Sequence, residues 1–310
     1  MAILFRPVFP VDHTHWLPAL EKEFAQDDLR IAPAHGDPED IHYIIGWRLA
    51  REDRDKWPNL KAVLSLSAGV NQYINHPAFP HHAALIRMLD PGLKQSMVEY
   101  VTAFVMRFHR RLDDFAVPSR ALDWTPPIPA LAPERTVGIM GLGDLGLACI
   151  QALRPFGFKL RGWSRTPKTV DGLTCFTGRP ALRDFLIGTD ILVCLLPLTP
   201  ETENILNKET LSMLPQNACL INAARGNHVV DQDLIDLLDN GHLYRAALDV
   251  FREEPLPDNH PFYNQHHIIM TPHIAAITMP QTGVPVLRQT IELLEKGLIP
   301  AGTVDLDRGY

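Results

Sequence analysis

One segment limits the fold of this chain more than any other. An apolar run, TVGIM, leads directly into the turn Gly141-Leu142-Gly143-Asp144-Leu145-Gly146 and then into a helical pattern. A strand, a glycine turn and a helix in this order are typical of a dinucleotide-binding turn, in which the glycines permit the bend, the approach of a pyrophosphate and close helix packing. The alternative is a glycine-rich turn without a ligand. The setting favours the first interpretation and predicts that all six residues of the turn contact a dinucleotide.

Short β-rich runs alternate with helical patterns on both sides of this turn, which indicates parallel sheets with crossover helices. Before the turn the predicted strands are Ala2–Arg6, Leu29–Ala32, Ile41–Gly46, Ala62–Leu66 and Ala84–Met88. From the turn onwards they are Val137–Met140, Lys159–Gly162, Ile191–Leu196, Ala218–Asn222, Tyr244–Val250 and Ile268–Thr271. We therefore predict an α/β protein with two domains. Residues 1–96 and 285–310 form a flavodoxin-like substrate domain, and residues 97–284 form a doubly wound Rossmann-type dinucleotide-binding domain.

Two segments between these runs point to self-association. A long helix around Leu93–Leu112 is apolar on nearly every side and is expected to be buried within the fold or against another subunit. A proline-rich stretch, Val117–Pro133, follows as an irregular arm. Together they predict a homodimer.

Composition excludes several classes of partner. Lys and Arg number 29 against 36 Asp and Glu, for a net charge of -7, which argues against a nucleic-acid or membrane-surface partner. The apolar runs are shorter than the ~20 residues that a membrane helix needs. The four cysteines form no CxxC pair and have no histidine at metal-ligand spacing. We expect reduced thiols, no metal site and a cytoplasmic location.

The turn after the next predicted strand indicates which dinucleotide is preferred. An NAD site places an acidic residue at the end of this strand, to accept from the ribose 2′-hydroxyl. Here Ser164 takes that place, followed by Arg165 and Lys168. Cations in place of a carboxylate favour a 2′-phosphate, and the alternative is a solvated basic turn. We predict NADPH, with NADH weaker, bound by Trp163, Ser164, Arg165, Thr166 and Lys168.

Three polar residues follow predicted strands at their carboxyl ends: Arg225, Glu254 and His273. Doubly wound sheets bind ligands at this edge. An arginine can hold a substrate carboxylate and polarise a keto oxygen, a histidine can protonate that oxygen, and a carboxylate can orient the imidazole and favour its protonated form. Each residue alone has a plainer interpretation: Arg225 as a helix cap or surface pair, Glu254 as a loop carboxylate, and His273 as one of 14 histidines.

Four segments resemble the D-isomer-specific 2-hydroxyacid dehydrogenase family in order and spacing: GLGDLG, LLPLTPET (Leu195–Thr202), INAARG followed by AALDVFREEP, and TPHIAA. The resemblance covers essentially the whole chain. It implies that Arg225, Glu254 and His273 are catalytic, and that Asp249 lies near the nicotinamide. The remaining cofactor contacts that it implies are Leu196, Pro197, Leu198, Thr202, Ala223 and Ala224, together with Arg225 and His273.

Within the family the branch of glyoxylate/hydroxypyruvate reductase A is most similar. The resemblance lies in the WSRTPK turn, the segment Ile86–Gly92, AAIT after the histidine and the C-terminal RGY. It implies NADPH and reduction of glyoxylate to glycolate or hydroxypyruvate to D-glycerate. The substrate contacts that it implies are the loop Ala68, Gly69 and Val70, with Trp47, Arg87, Arg225 and His273. Asn71 stands where an acidic residue is more usual, and core packing is the alternative for Trp47.

The resulting hypothesis places the substrate carboxylate on the Ala68–Val70 amides and Arg225, in a cleft between the domains, with His273 as general acid. Two alternatives stay open. One is another specificity within the family, such as phosphoglycerate, formate or a larger 2-keto acid. The other is a dinucleotide-sensing transcriptional corepressor without catalysis.

Overall fold

The computed structural model of the chain describes residues 1–53, 55–74, 76–115 and 130–306. The chain divides into two compact units, Met1–Leu93 with Ile277–Tyr310, and Lys94–Ala276. Residues 117–129 of the predicted proline-rich arm and the C-terminal RGY lie outside the described residues. No helix in the described ranges is both long enough and apolar enough to cross a membrane.

The elements alternate along the chain as the sequence predicts. The strands are β1 Ala2–Arg6, β2 Asp28–Ile31, β3 Ile41–Gly46, β4 Ala62–Ser65, β5 Ala84–Ile86, β6 Thr136–Met140, β7 Lys159–Ser164, β8 Thr174–Thr177, β9 Ile191–Cys194, β10 Ala218–Asn222, β11 Leu243–Leu248 and β12 Ile268–Met270. The helices are α1 Leu17–Glu23, α2 Asn71–Ile74, α3 Pro91–His109, α4 Asp144–Leu153, α5 Leu182–Leu186, α6 Lys208–Leu211, α7 Asp231–Asp239 and α8 Pro280–Glu295.

The first unit is built on a five-stranded parallel sheet in the order β2-β1-β3-β4-β5, which is the flavodoxin-like order. Strands β1, β3 and β4 are almost entirely buried, whereas the edge strand β2 is partly exposed, and apolar residues from α1 and α8 cover one face of the sheet. Helix α8 presents Val284, Leu287 and Ile291 at helical spacing, and this stripe packs with Ile3 and Phe5 of β1. The C-terminal helix therefore belongs to the same core as the first strand.

The second unit is a seven-stranded parallel sheet in the order β12-β11-β10-β9-β6-β7-β8. The strand order reverses between β6 and β9, and ligands of doubly wound sheets bind beside such a reversal, at the carboxyl ends of the strands. The two parallel sheets confirm the predicted α/β class. The prediction of six strands in this unit was wrong by one, because β8 (TCFT) is a short, partly exposed edge strand without an apolar run.

Helix α3 also differs from its prediction. The sequence suggested a helix that is apolar on nearly every side, but the structure buries one stripe, consisting of Met97, Val101, Phe104, Val105 and Phe108, in the core of the second unit. Glu99 and Ala103 on the same helix are exposed. The helix is therefore amphipathic and half-buried within its own chain.

Candidate active site

The glycine turn after β6 has the geometry that a dinucleotide requires. Gly141 has a φ of +105°, and a Cβ at this position would lie 2.6 Å from the carbonyl oxygen of Leu195. A Cβ at Gly146 would lie 1.9 Å from the carbonyl oxygen of Gly141. At Gly143, by contrast, a Cβ would meet nothing within 4 Å, and the φ of -82° suits any residue.

The open space at Gly143 favours a bound dinucleotide over a ligand-free turn. Gly143 is the N-cap of α4, whose first N–H groups and dipole favour an anion. The protein itself therefore gives no reason for glycine at 143, whereas a pyrophosphate at the N-terminus of α4 does. The turn fits a bound dinucleotide better than a ligand-free bend.

The turn after β7 is basic and exposed. The Ser164 hydroxyl is buried and donates to the carbonyl oxygen of Thr166 at 2.7 Å, while Arg165, Thr166 and Lys168 are exposed. Trp163 is buried, and its indole N–H donates to the carbonyl oxygen of Gly178 at 2.9 Å. Its ring packs in the core of the second unit, so a cofactor contact of Trp163 would involve its backbone. No carboxylate lies between Ser164 and Lys168.

The loop after β9 is closed by one hydroxyl. Thr202 Oγ1 donates to the carbonyl oxygen of Pro197 at 2.7 Å and accepts from the backbone N–H of Thr199 at 2.8 Å. Leu196 is buried, Leu198 is half-buried and Pro197 is exposed. The predicted cofactor residues of this segment therefore share one ordered loop at the carboxyl edge of the sheet.

The loop after β10 holds Arg225. Asn222, fully buried, donates from Nδ2 to the carbonyl oxygen of Arg225 at 3.0 Å and accepts from the N–H of Ala224 at 3.2 Å. Ala223 and Ala224 are buried. The Arg225 guanidinium donates to the carbonyl oxygen of Ala224 at 2.6 Å. Burial lowers the pKa of Arg225 and the Glu254 carboxylate opposes that shift. The Arg225 side chain is therefore a partly buried cation whose position is fixed by its bond to the loop backbone.

A buried histidine that the sequence analysis missed lies under the same loop. His228 is fully buried, with Nδ1 3.0 Å from the carbonyl oxygen of Arg225 and Nε2 3.3 Å from the carbonyl oxygen of Pro197. Burial is the main cause that lowers its pKa. The ring therefore lies between carbonyl groups of the loops after β9 and β10, and in its neutral form it donates to one of them.

The structure brings His273 and Glu254 together, although they follow different strands. His273 Nδ1 lies 2.7 Å from Glu254 Oε2, and Glu254 Oε1 accepts from the N–H of Phe251 at 2.9 Å. Partial burial opposes ionisation of Glu254, but the hydrogen bonds from His273 and Phe251 and the charges of His273 and Arg225 hold its pKa below the usual value. An ionised carboxylate only accepts, so Nδ1 carries the proton and Nε2 is left for a substrate.

Asp249 holds the turn that carries His273. Asp249 is 1% exposed, and its carboxylate accepts from the Thr271 hydroxyl at 2.7 Å and from the N–H groups of Ile274 and Ala275 at 2.8 Å each. Its carbonyl oxygen accepts from the N–H of His273 at 2.8 Å. His273 has a φ of +55°, a left-handed conformation that costs a branched or ring-bearing residue free energy. The sequence alone gave no indication of this role for Asp249.

Trp47, a predicted substrate residue of the first unit, lies in an aromatic cluster beside a buried carboxylate. The indole N–H of Trp47 donates to Asp12 Oδ1 at 3.0 Å, and its ring meets Phe9 and Trp16 edge to face at centroid distances of 6.0 and 5.9 Å. Asp12 is fully buried and is a residue that sequence reasoning missed. Trp47 is half-buried, so it is neither pure core nor a free surface ring. Arg87, also half-buried, follows β5.

Two side chains hold the loop at Ala68, Gly69 and Val70 through the carbonyl oxygen of Gly69. Ser67 Oγ and Gln72 Nε2 donate to the carbonyl oxygen of Gly69 at 2.7 and 3.2 Å. Within the described part of the chain, the backbone N–H groups of residues 68–70 donate no hydrogen bond. Successive backbone N–H groups in a turn can bind an anion.

The chain is similar in sequence to a known family and to several curated proteins. Residues 102–275 match the family model described as the NAD-binding domain of D-isomer-specific 2-hydroxyacid dehydrogenases. Among curated proteins, glyoxylate/hydroxypyruvate reductase A of Yersinia enterocolitica is 38% identical over 313 residues and that of Serratia proteamaculans 39%, each covering 99% of both chains.

Solved structures with the same fold cover the full length. A D-isomer-specific 2-hydroxyacid dehydrogenase from Xanthobacter autotrophicus, in complex with NADPH and MES, is 39% identical with a TM-score of 0.94, covering 100% of this chain and 99% of that one. An NADPH-dependent glyoxylate/hydroxypyruvate reductase from Sinorhizobium meliloti, in complex with NADP and sulfate, is 32% identical with a TM-score of 0.92 and the same coverage. The chain belongs to the D-isomer-specific 2-hydroxyacid dehydrogenase family, as the resemblance of its motifs predicted.

Proposed function

We propose that the protein is an NADPH-dependent reductase of small 2-keto acids that converts glyoxylate to glycolate and hydroxypyruvate to D-glycerate. The observation that carries the proposal is the His273–Glu254 pair at 2.7 Å, with the charge of Arg225 acting on the same carboxylate. An oriented imidazole beside a fixed guanidinium meets the needs of keto-acid reduction. Full-length relatives named glyoxylate/hydroxypyruvate reductase A support the choice of substrates.

The residues of the second unit fit NADPH. The turn Gly141–Gly146 and the N-terminus of α4 would hold the pyrophosphate, and Ser164, Arg165, Thr166 and Lys168 would hold the 2′-phosphate. The related structures with NADPH and NADP support this assignment. When bound, NADPH supplies the hydride that reduces C2 of the keto acid. NADH is expected to bind more weakly, because it lacks the phosphate that the basic turn recognises.

Each residue of the catalytic group has a defined role. Arg225 binds the substrate carboxylate and polarises the keto oxygen. His273 donates the proton on Nε2 to that oxygen as negative charge develops, which makes it the general acid. Glu254 accepts from Nδ1 throughout, so it fixes the tautomer and stabilises the imidazolium before transfer. The His273 side chain is 49% exposed, so solvent can return the proton after turnover.

In the first unit we assign substrate contacts to the loop Ala68–Val70, whose unpaired amides suit a carboxylate, and to Trp47 and Arg87. We assign the substrate domain to residues 1–96 with 285–310, and the dinucleotide domain to residues 97–284. We also propose a cytoplasmic homodimer. Light scattering coupled to size-exclusion chromatography tests the dimer, and a monomer at micromolar concentration would contradict it.

Steady-state kinetics test the proposal directly. Glyoxylate, hydroxypyruvate, pyruvate and phenylpyruvate are each compared with NADPH and with NADH by the loss of reduced-coenzyme absorbance. We expect glyoxylate and hydroxypyruvate with NADPH to give the highest kcat/KM. Preference for phenylpyruvate would favour another family specificity, equal kcat/KM with both coenzymes would contradict the NADPH preference, and tight NADPH binding without turnover would favour the corepressor.

A further inference from the structure

A chain of hydroxyl groups leads from helix α3 to the turn that carries His273. Tyr100 Oη, on α3, lies 2.8 Å from Thr271 Oγ1, and Thr271 Oγ1 lies 2.7 Å from Asp249 Oδ1. Neither Tyr100 nor Thr271 was predicted to be a site residue. All three side chains belong to the second unit.

The direction of these hydrogen bonds follows from the chemistry of the groups. Thr271 Oγ1 donates its single proton to the Asp249 carboxylate, which also accepts from two backbone N–H groups. The Thr271 oxygen is then free to accept, and Tyr100 is the donor. Burial is the main cause that raises the pKa of Tyr100, the bond to Thr271 opposes it, and the charge of Asp249 adds to the rise. Tyr100 therefore keeps its proton and donates at every working pH.

Asp249, at the far end of this series of hydrogen bonds, controls the backbone geometry of the turn that carries His273. With one Asp249 oxygen fixed by Thr271, the carboxylate is oriented so that its remaining lone pairs accept from the N–H groups of Ile274 and Ala275. Those bonds, with the bond from His273 N–H to the Asp249 carbonyl, hold the left-handed residue in place. A left-handed histidine relaxes readily unless its surroundings fix it.

We propose that Tyr100 and Thr271 are positioning residues for the general acid, which they align through Asp249. This inference rests on the proposed role of His273. The ring of Tyr100 packs against Phe104 at a centroid distance of 4.7 Å, and this contact needs no hydroxyl. The hydroxyl therefore serves the orientation of Asp249 and thus of the His273 turn.

Substitutions of single hydroxyl groups test this chain. Tyr100→Phe keeps the ring and removes the first donor, Thr271→Val removes the link, and Thr271→Ser restores it. We expect kcat to fall about tenfold in Tyr100→Phe and somewhat more in Thr271→Val, because small displacements of a reacting group are costly. KM for NADPH should stay within about twofold, since neither hydroxyl is assigned to the cofactor. Thr271→Ser should recover most of kcat.

The double variant separates alignment from general loss of stability. Because Tyr100 acts through Thr271, adding Tyr100→Phe to Thr271→Val should reduce kcat no further. Tyr263→Phe, at a tyrosine that is 53% exposed, is the matched control and should leave kcat unchanged. Additive effects, or kcat changes that merely parallel falls in Tm, would overturn the proposal. Unchanged kcat in Tyr100→Phe would also overturn it. This variant keeps the buried ring, so it tests the proposal even if Thr271→Val does not fold.

A readout without turnover distinguishes failure of this inference from failure of the proposed function. In ¹⁵N NMR spectra of selectively labelled histidine, the His273 resonance is assigned with His273→Asn. We expect it to shift or broaden in Tyr100→Phe and to stay unchanged in Tyr263→Phe. An unchanged resonance would overturn the inference, whether or not the wild-type protein reduces a keto acid.

Discussion

Two parts of the second unit lie at the same edge of one sheet and are built in opposite ways. In the loops after β10, β11 and β12, Asn222, Asp249, Glu254 and His273 are all joined by hydrogen bonds to neighbouring loop atoms. In the turn after β7, Ser164 bonds to the carbonyl oxygen of Thr166, and the side chains that follow it are exposed. The hydrogen bonds of the first region fix the orientation of its side chains, whereas the second region exposes positive charge to solvent.

The difference matches what each region is proposed to do. Proton transfer depends on distance and angle, so its groups must be held before the substrate arrives. Recognition of a phosphate on a coenzyme depends mostly on the sign and proximity of charge. Substitutions in the loops after β10–β12 should therefore reduce kcat and depend on one another, whereas substitutions in the turn after β7 should change coenzyme affinity and depend on salt.

The largest effect is expected at His273. His273→Asn removes the proton donor, yet asparagine tolerates the left-handed conformation that this position requires. We expect kcat to fall ~10²–10⁴-fold, the usual contribution of a general acid. Fluorescence titration should show NADPH affinity within about threefold of wild type, because the phosphate-binding turns are untouched. A loss of kcat smaller than tenfold would show that another group donates the proton.

Glu254→Gln should come next, with kcat reduced about 10- to 100-fold through loss of the imidazole's charged partner. The same change has a pH signature in stability. The folded-state pKa of Glu254 is below its usual 4.5, so its stabilising contribution is complete above 4.5 and is lost as pH falls through the folded value. The difference in Tm between wild type and Glu254→Gln should be present at neutral pH and vanish in acid.

That difference in Tm is expected to be small, because the Glu254 side chain is 36% exposed and solvent screens the pair to about 1 kcal/mol or less. A difference that persists unchanged at a pH below the folded-state pKa would mean that Glu254 stabilises the loop without its charge.

The same contrast explains which features could be predicted from the sequence. Strands such as β1 and β10 alternate with helical patterns and were predicted with their observed bounds, because a buried parallel strand is a local apolar run. The edge strand β8 was missed because it is short and partly exposed. The positions of Arg225, Glu254 and His273 after strands were visible, since parallel strands bring such residues to one edge.

The supporting contacts could not be predicted in this way. Tyr100 and Thr271 are separated by 171 residues along the chain, and nothing local marks them as partners. Trp163 illustrates the reverse case: its place in the WSRTPK segment predicted a cofactor contact, and only the structure shows that its ring packs in the core, which leaves the backbone for such a contact. Roles that depend on which way a side chain points follow from tertiary packing, and no periodicity in the sequence records them.

A smaller effect is expected from the turn after β7. Arg165→Gln should raise KM for NADPH about tenfold, the loss of one charge-assisted hydrogen bond, and leave KM for NADH nearly unchanged. The increase should shrink at high salt, because exposed charges are screened. Lys159→Gln removes a cation from the amino end of the same strand and should change neither constant. Equal increases for both coenzymes would show that Arg165 supports the fold rather than the 2′-phosphate.

The smallest effect is expected at the cysteines, whose reactivity reports on the rigidity of the loops without a change to either site. Cys149, Cys194 and Cys219 are buried, and burial raises the pKa of each thiol to about 12, whereas Cys175 is partly exposed on the edge strand β8 beside β7. An aromatic disulfide reagent near neutral pH should therefore modify Cys175 first, and Cys175→Ser should change kcat less than about twofold. Cys194 is the last residue of β9, directly before the loop that holds Thr202, whereas Cys219 is buried near the start of β10. Both should react only at the rate of global unfolding. If Cys194 reacted as fast as Cys175, the loop after β9 would open locally, and the contrast between a fixed catalytic edge and an exposed coenzyme turn would be lost.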